Sequence, residues 1–166
     1  MGVIMKYVMA TFVLAAILVG AAPVSAGDFK TGLTAYQKRD YAIALREWTP
    51  LAEKGDVDAQ HNLGHMYRLG KGVSKDYVEA ADWYLRAATQ GAADAQYNIG
   101  LMHRYGRGVK RDAVAAYMWA DIAGSQAHAK AVQLRKTLGR NMRPAEISDA
   151  KRRAKACMES NYTNCE

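Results

Sequence analysis

Gly55-x-x-Asp58-Ala59-Gln60-x-Asn62-x-Gly64-x-Met66 returns 36 positions later as Gly91-x-x-Asp94-Ala95-Gln96-x-Asn98-x-Gly100-x-Met102. At the same offset Gly70-x-Gly72-Val73 returns as Gly106-x-Gly108-Val109. Laying Tyr41–Asp76 over Tyr77–Asp112 leaves 15 of 36 positions identical, where ordinary composition would give about two or three. A fading third copy begins at Ala113: Val78, Ala80, Trp83, Ala87 and Gln90 are matched by Val114, Ala116, Trp119, Ala123 and Gln126. Self-similarity at a fixed period of this size marks a stack of supersecondary units, each unable to bury its apolar face alone.

Each unit reads as two helices. Asp76 caps the first, and Glu79 three residues on is placed to complete a capping box. Apolar residues follow at Ala80, Trp83, Tyr84, Ala87 and Ala88, the spacing of one helical face. Gly91 is suited to end that helix in a left-handed conformation. Asp94 puts negative charge into the first turn of the next helix, where the helix dipole favours it. That helix runs through Ala95, Ile99, Met102 and His103 until Gly106 and Gly108 release the chain. Ala44, Ala80 and Ala116 on one helix, with Gly64 and Gly100 on the other, allow close backbone approach. Trp48, Trp83, Trp119, Met66 and Met102 fill the space around them.

The segments Ala59-Gln60-His61-Asn62-Leu63-Gly64-His65-Met66-Tyr67 and Gly70-Lys71-Gly72-Val73, followed by Ala80-Ala81-Asp82-Trp83-Tyr84 and Ala87-Ala88-Thr89-Gln90-Gly91, resemble the Sel-one-like repeat. That family is a branch of the tetratricopeptide-like helical repeats, and the likeness runs over about residues 28–158. The resemblance implies an all-α, right-handed α-α superhelix of stacked hairpins, and a module that mediates protein–protein contacts. With Phe29 to Gln37 as a short opening helix and Pro144 suited to the first position of a last helix reaching about Cys157, the expectation is about eight helices in roughly four hairpins, with no sheet. The expected organisation is a signal peptide at 1–26, an opening helix at 27–40, repeats at 41–140 and a capping helix with tail at 141–166.

The first 26 residues carry Lys6, an apolar run from Tyr7 to Val19 broken only by Thr11, and small residues at Val24-Ser25-Ala26. This is the order of a secretory signal, with cleavage expected after Ala26; the alternative is an uncleaved anchor. The 13-residue run is short against the roughly 20 that a spanning helix needs. The whole chain has 23 Lys and Arg against 16 Asp and Glu, a net charge of +7, and loss of Lys6 brings this to +6. In an exported protein such a balance favours acidic partners, and peripheral contact with anionic envelope surfaces, over nucleic acid. Cys157 and Cys165 are read as a disulfide closing a short terminal loop. A redox pair lacks the Cys-x-x-Cys spacing, and zinc lacks further ligands nearby.

Against this frame the variable positions stand out as candidate partner contacts. His61 and His65 lie four apart on one helix, a separation able to hold a metal. However, no Glu of a metalloprotease helix and no third ligand accompanies them. Their counterparts one repeat later are Tyr97 and Leu101, so these slots are free to differ. Arg68 and Arg104 recur at equivalent positions and can hold a carboxylate bidentately, or pack their stems on a neighbouring helix. The segment Lys130–Lys155 holds nine Lys or Arg and only Glu146 and Asp149. No aromatic residue interleaves it, which argues against single-stranded nucleic acid.

No Gly-x-Ser-x-Gly occurs, and no catalytic constellation is recognisable. The expected function is therefore an exported, non-catalytic binding or adaptor module of the bacterial cell envelope, holding a protein or peptide, without cofactor or metal. The alternative is a cell-wall or β-lactam-processing hydrolase. Exported relatives associated with that activity carry a cysteine pair in every repeat, a feature missing here.

Overall fold

The computed structural model describes residues 27–165, and all of its regular elements are helices. In chain order they are α1 (Phe29–Gln37), α2 (Tyr41–Glu53), α3 (Val57–Leu69), α4 (Tyr77–Ala88), α5 (Ala93–Tyr105), α6 (Ala113–Ser125), α7 (Ala129–Gly139) and α8 (Pro144–Glu159). The segment expected to be a signal peptide lies outside the described residues. Among the described residues no helix is long and apolar enough to cross a membrane.

Local chemistry sets most helix starts. Asp28, Asp40, Asp56, Asp76 and Asp112 each occupy an N-cap and accept hydrogen bonds from first-turn amides. In α5 the slot of Asp56 is filled by Ala92, which offers no side-chain cap. The box expected at Asp76 does not close through Glu79. Asp76 takes the amides of Val78 (2.8 Å) and Glu79 (3.1 Å), but its own N–H is already donated to the Tyr67 carbonyl at 3.0 Å. The reciprocal bond occurs instead at α8, where Glu146 accepts from the Arg143 amide at 2.8 Å, with Pro144 opening the helix.

Helix ends are set by the recurrent glycines. Gly70 (φ +69°) and Gly106 (φ +64°) are left-handed C-caps of α3 and α5. The amide beyond each reaches back to Met66 and Met102 at 3.0 Å. Gly91 is also left-handed (φ +88°), but α4 has already ended at Ala88 with Thr89 as its cap. Gly108 is required for a second reason: a Cβ there would lie 1.9 Å from the Tyr77 carbonyl oxygen.

Neighbouring helices stack in the expected manner, and packing decides the phase of the repeat. Gly64 on α3 sits against the fully buried ring of Tyr84 on α4, while Gly100 on α5 faces Ala116, Trp119 and Ala120 of α6. The opening pair obeys the same rule, with Gly32 of α1 against the Trp48 indole of α2. The tight hairpins are therefore α1–α2, α3–α4 and α5–α6. The last pair departs from the expected fourth hairpin, because α7 and α8 each pack chiefly on α6. This accounts for α6, whose buried residues Ala116, Tyr117, Met118, Trp119, Ala120, Ile122 and Ala123 go nearly all round the helix.

A buried glutamine ladder joins successive repeats. Gln60 donates to the Ala52 carbonyl (3.0 Å) and accepts from Gln90 (2.8 Å). Gln96 donates to Ala88 (3.1 Å) and accepts from Gln126 (2.8 Å). Each buried amide thus has partners on both sides, as a buried polar group must. At the C-terminus Cys157 and Cys165 are disulfide-bonded, and the returning tail lays Tyr162 against Gly91.

Candidate functional site

Helices α3 and α5 carry all six of the candidate contact residues, and their neighbours α1 and α7 extend the same face. His65 on α3 turns toward α1: its Nδ1 lies 3.0 Å from the Tyr36 hydroxyl. That hydroxyl in turn accepts from Lys71 Nζ at 2.8 Å. With Lys71 donating, the Tyr36 proton is directed to a neutral imidazole. Burial, with Arg68, Lys71 and His61 adding positive charge, pushes the His65 pKa down to about 4.

His61 turns the other way, its Nε2 lying 3.1 Å from Asn98 Nδ2 on α5, and its ring packs on Tyr84. Burial lowers its pKa as well. The two histidines are thus partnered with opposite neighbours rather than converging on a shared ligand position.

One repeat later, Tyr97 stacks on His128, the N-cap of α7, with ring centroids 4.9 Å apart, and His128 Nε2 lies 3.0 Å from Asp94. His61, His65 and Tyr97 therefore each tie one helix to the next. They are less free than their variability in the sequence implied.

The arginines are arranged differently from their sequence equivalence. Arg68 donates through Nε to the Tyr84 hydroxyl at 3.2 Å. Its side chain lines a cavity of about 60 Å³ with Leu101, Asn98, Tyr77, Tyr105, Met102 and Arg107. Its companion there is Arg107, from the turn after α5. Arg104 lines a separate cavity of about 300 Å³ with Arg111, Thr137, Leu138, Asn141 and Met142. The cause is visible one helix along: the slot of Tyr84 is Ala120 in the next repeat, so Arg104 has no phenol to hold it. Its guanidinium instead lies 5.1 Å from the Tyr105 ring centroid.

Arg107, Tyr77, Tyr105 and Asn98 were not singled out by sequence reasoning. Arg107 was absorbed into a recurrent glycine turn. The signal available was the recurrence of a cation, Lys71 and then Arg107, between the paired glycines. Tyr105 is 53% exposed and occupies the slot of Leu69, itself 39% exposed.

The basic segment of α7 and α8 is only partly paired: among the described residues Lys130, Lys136, Arg140 and Lys151 form no ion pair. Arg135 pairs with Asp121, Arg143 with Glu146, Arg152 and Arg153 with Asp149, and Lys155 with Glu159.

On this geometry the comparisons with known proteins can be set. A family model for the Sel1 repeat matches residues 57–91 and 93–128, the hairpins α3–α4 and α5–α6. A crystal structure of a protective antigen of uropathogenic Escherichia coli strains, displaying an SLR fold, aligns with a TM-score of 0.74 and 29% identity. The alignment covers 79% of this chain and 30% of that one. A Sel1 repeat protein from Oxalobacter formigenes aligns with a TM-score of 0.64 and 35% identity over 67% of this chain and 46% of its own. The chain thus spans less than half the length of either. No curated protein matches the chain. The matched repeats and the shared stacking of helices show that this chain carries two Sel1 repeats in an SLR-type fold, a helical-repeat architecture of the protein-interaction kind.

Proposed function

We propose that the protein is an exported adaptor of the bacterial cell envelope that holds a protein partner on the face formed by α3 and α5. The observation carrying this reading is the patch around Tyr105. An exposed aromatic ring there is flanked by Arg104 and Arg107, with their guanidiniums 5.1 and 5.2 Å from its centroid. Tyr and Arg at a partly exposed, pre-ordered position are the residue types that dominate binding energy at protein interfaces. The disulfide between Cys157 and Cys165 is compatible with an oxidising compartment, and the apolar N-terminal segment supports export.

Site-specific photocrosslinking in intact cells tests this. A crosslinker at Tyr105 or Leu101 is expected to capture a protein partner in the envelope fraction. The same group at Leu85, on α4, is expected to capture none. Capture from Leu85 alone, or recovery of the chain in the cytoplasm, would overturn the reading.

A further inference from the structure

The two repeats present the same edge twice. Leu69-Gly70-Lys71 and Tyr105-Gly106-Arg107 each put an exposed apolar residue before a left-handed glycine and a cation after it. Lys71 lies 5.5 Å from the centroid of Tyr41, and its repeat counterpart Arg107 lies 5.6 Å from Tyr77, the counterpart of Tyr41. Arg107 also stands over Tyr105 and shares its small cavity with Arg68 of the preceding repeat.

No carboxylate lines that cavity or the neighbouring one at Arg104 and Arg111. Among the described residues, none of these four arginines forms an ion pair. The carboxylates nearest in sequence, Asp76 and Asp112, are occupied as helix caps. Elsewhere in the chain arginines are routinely neutralised, as at Asp121, Glu146 and Asp149. Arg107, standing over Tyr77 and Tyr105, and Arg68, which donates only its Nε–H to Tyr84, share one cavity without counter-charge, an arrangement suited to bidentate contact with an anion.

We infer that this edge binds an acidic peptide segment of the partner, with a carboxylate held between Arg68 and Arg107 and an adjacent apolar side chain set against Tyr105 and Leu69. The apolar positions beside the cations favour a peptide over a polyphosphate chain, which would leave Tyr105 and Leu69 unmatched. The inference rests on the proposed adaptor role and names the chemistry of its partner.

Fluorescence anisotropy on the purified chain tests it, with a labelled Asp/Glu-rich peptide containing one Leu and an Asn/Gln counterpart as probes. The acidic probe is expected to bind and the amide counterpart to be lost. Arg107→Ala is expected to weaken binding about tenfold, the scale of one charge-assisted contact, with an unchanged melting temperature. Arg107→Lys should fall between, since it keeps the charge without the fork. Lys151→Ala, an equal charge change on α8, should have little effect.

Equal binding of both peptides overturns the inference. So does an effect of Lys151→Ala matching that of Arg107→Ala, or binding of inorganic polyphosphate without binding of the peptide. If the acidic probe fails while Tyr105 still crosslinks a protein, the partner chemistry is wrong and the adaptor role stands. If both fail, the adaptor reading falls too.

Discussion

Replacing Gly64 with Ala adds one methyl group at a close helix–helix contact between α3 and α4. The new Cβ would lie 2.8 and 2.9 Å from Cδ1 and Cε1 of Tyr84, against an ordinary carbon–carbon separation of about 3.5–4.0 Å. The ring cannot swing aside cheaply: Tyr84 is fully buried, and its hydroxyl accepts from Arg68. Overpacking of this kind costs about 1–3 kcal/mol. The change from Gly to Ala inside a helix returns about 1 kcal/mol of backbone propensity, leaving a net loss of up to about 2 kcal/mol. At about 4 °C per kcal/mol for a chain of this size, the melting temperature should drop by up to about 8 °C.

The equivalent Gly100→Ala is the internal control. Its Cβ meets the Ala116 carbonyl oxygen at 3.3 Å and Trp119 Cβ at 3.4 Å, because Ala120 stands where the previous repeat has Tyr84. A shift of a few tenths of an ångström suffices, and the propensity gain should hold this variant within about 0.5 kcal/mol of the parent. Thermal and urea unfolding followed by circular dichroism would measure both. Equal losses, or a larger loss for Gly100→Ala, would refute the packing argument.

Other consequences concern the ladder, the caps, the histidine and the disulfide. Gln96→Leu should destabilise by about 1–2 kcal/mol, because it removes two hydrogen bonds of a buried amide, to the Ala88 carbonyl and from Gln126, while Ala88 keeps the Gly91 N–H; urea midpoints would show it. Ala92→Asp should instead stabilise by about 0.5–1 kcal/mol, supplying α5 with the cap that Asp56 gives α3, and an unchanged melting temperature would count against the cap assignment. His65 resists protonation in the folded state, with its pKa pushed to about 4 from 6.5. Its stabilising effect is complete above about pH 6.5 and declines as the pH falls toward 4, since the unfolded chain takes up the proton first. Melting temperatures across that window should fall less steeply for His65→Gln than for the parent chain. Cys165→Ser should cost roughly 2.5 kcal/mol on chain-entropy grounds for a loop this short, and a reductant should lower the melting temperature of the parent but not of the variant.

Much of the helical framework was legible because its determinants act over a few residues. The aspartate caps, the glycine stops after α3 and α5, the opening helix Phe29–Gln37 and Pro144 at the start of α8 all depend on neighbours within one turn. The period itself was legible because each repeat must offer the same faces to the next. The candidate site was only partly so. His61, His65, Tyr97 and Leu101 were found by asking where the repeats differ, Arg68 and Arg104 by their recurrence, and all lie on α3 and α5.

What the array does with those residues was decided by packing across repeats. A 36-residue period has no intrinsic phase. The contact of Gly64 with Tyr84, rather than any local signal, joins α3 to α4 as the closed hairpin. The same stacking brings Arg68 to Arg107 across 39 positions and sends Arg104 to another cavity, although sequence equivalence had paired Arg68 with Arg104. Helical hydrogen bonds and caps close within one turn and can be read along the chain. Side-chain convergence between repeats depends on how bulky each neighbour is at the helix crossing, and the change from Tyr84 to Ala120 acquires its meaning only once the helices are packed.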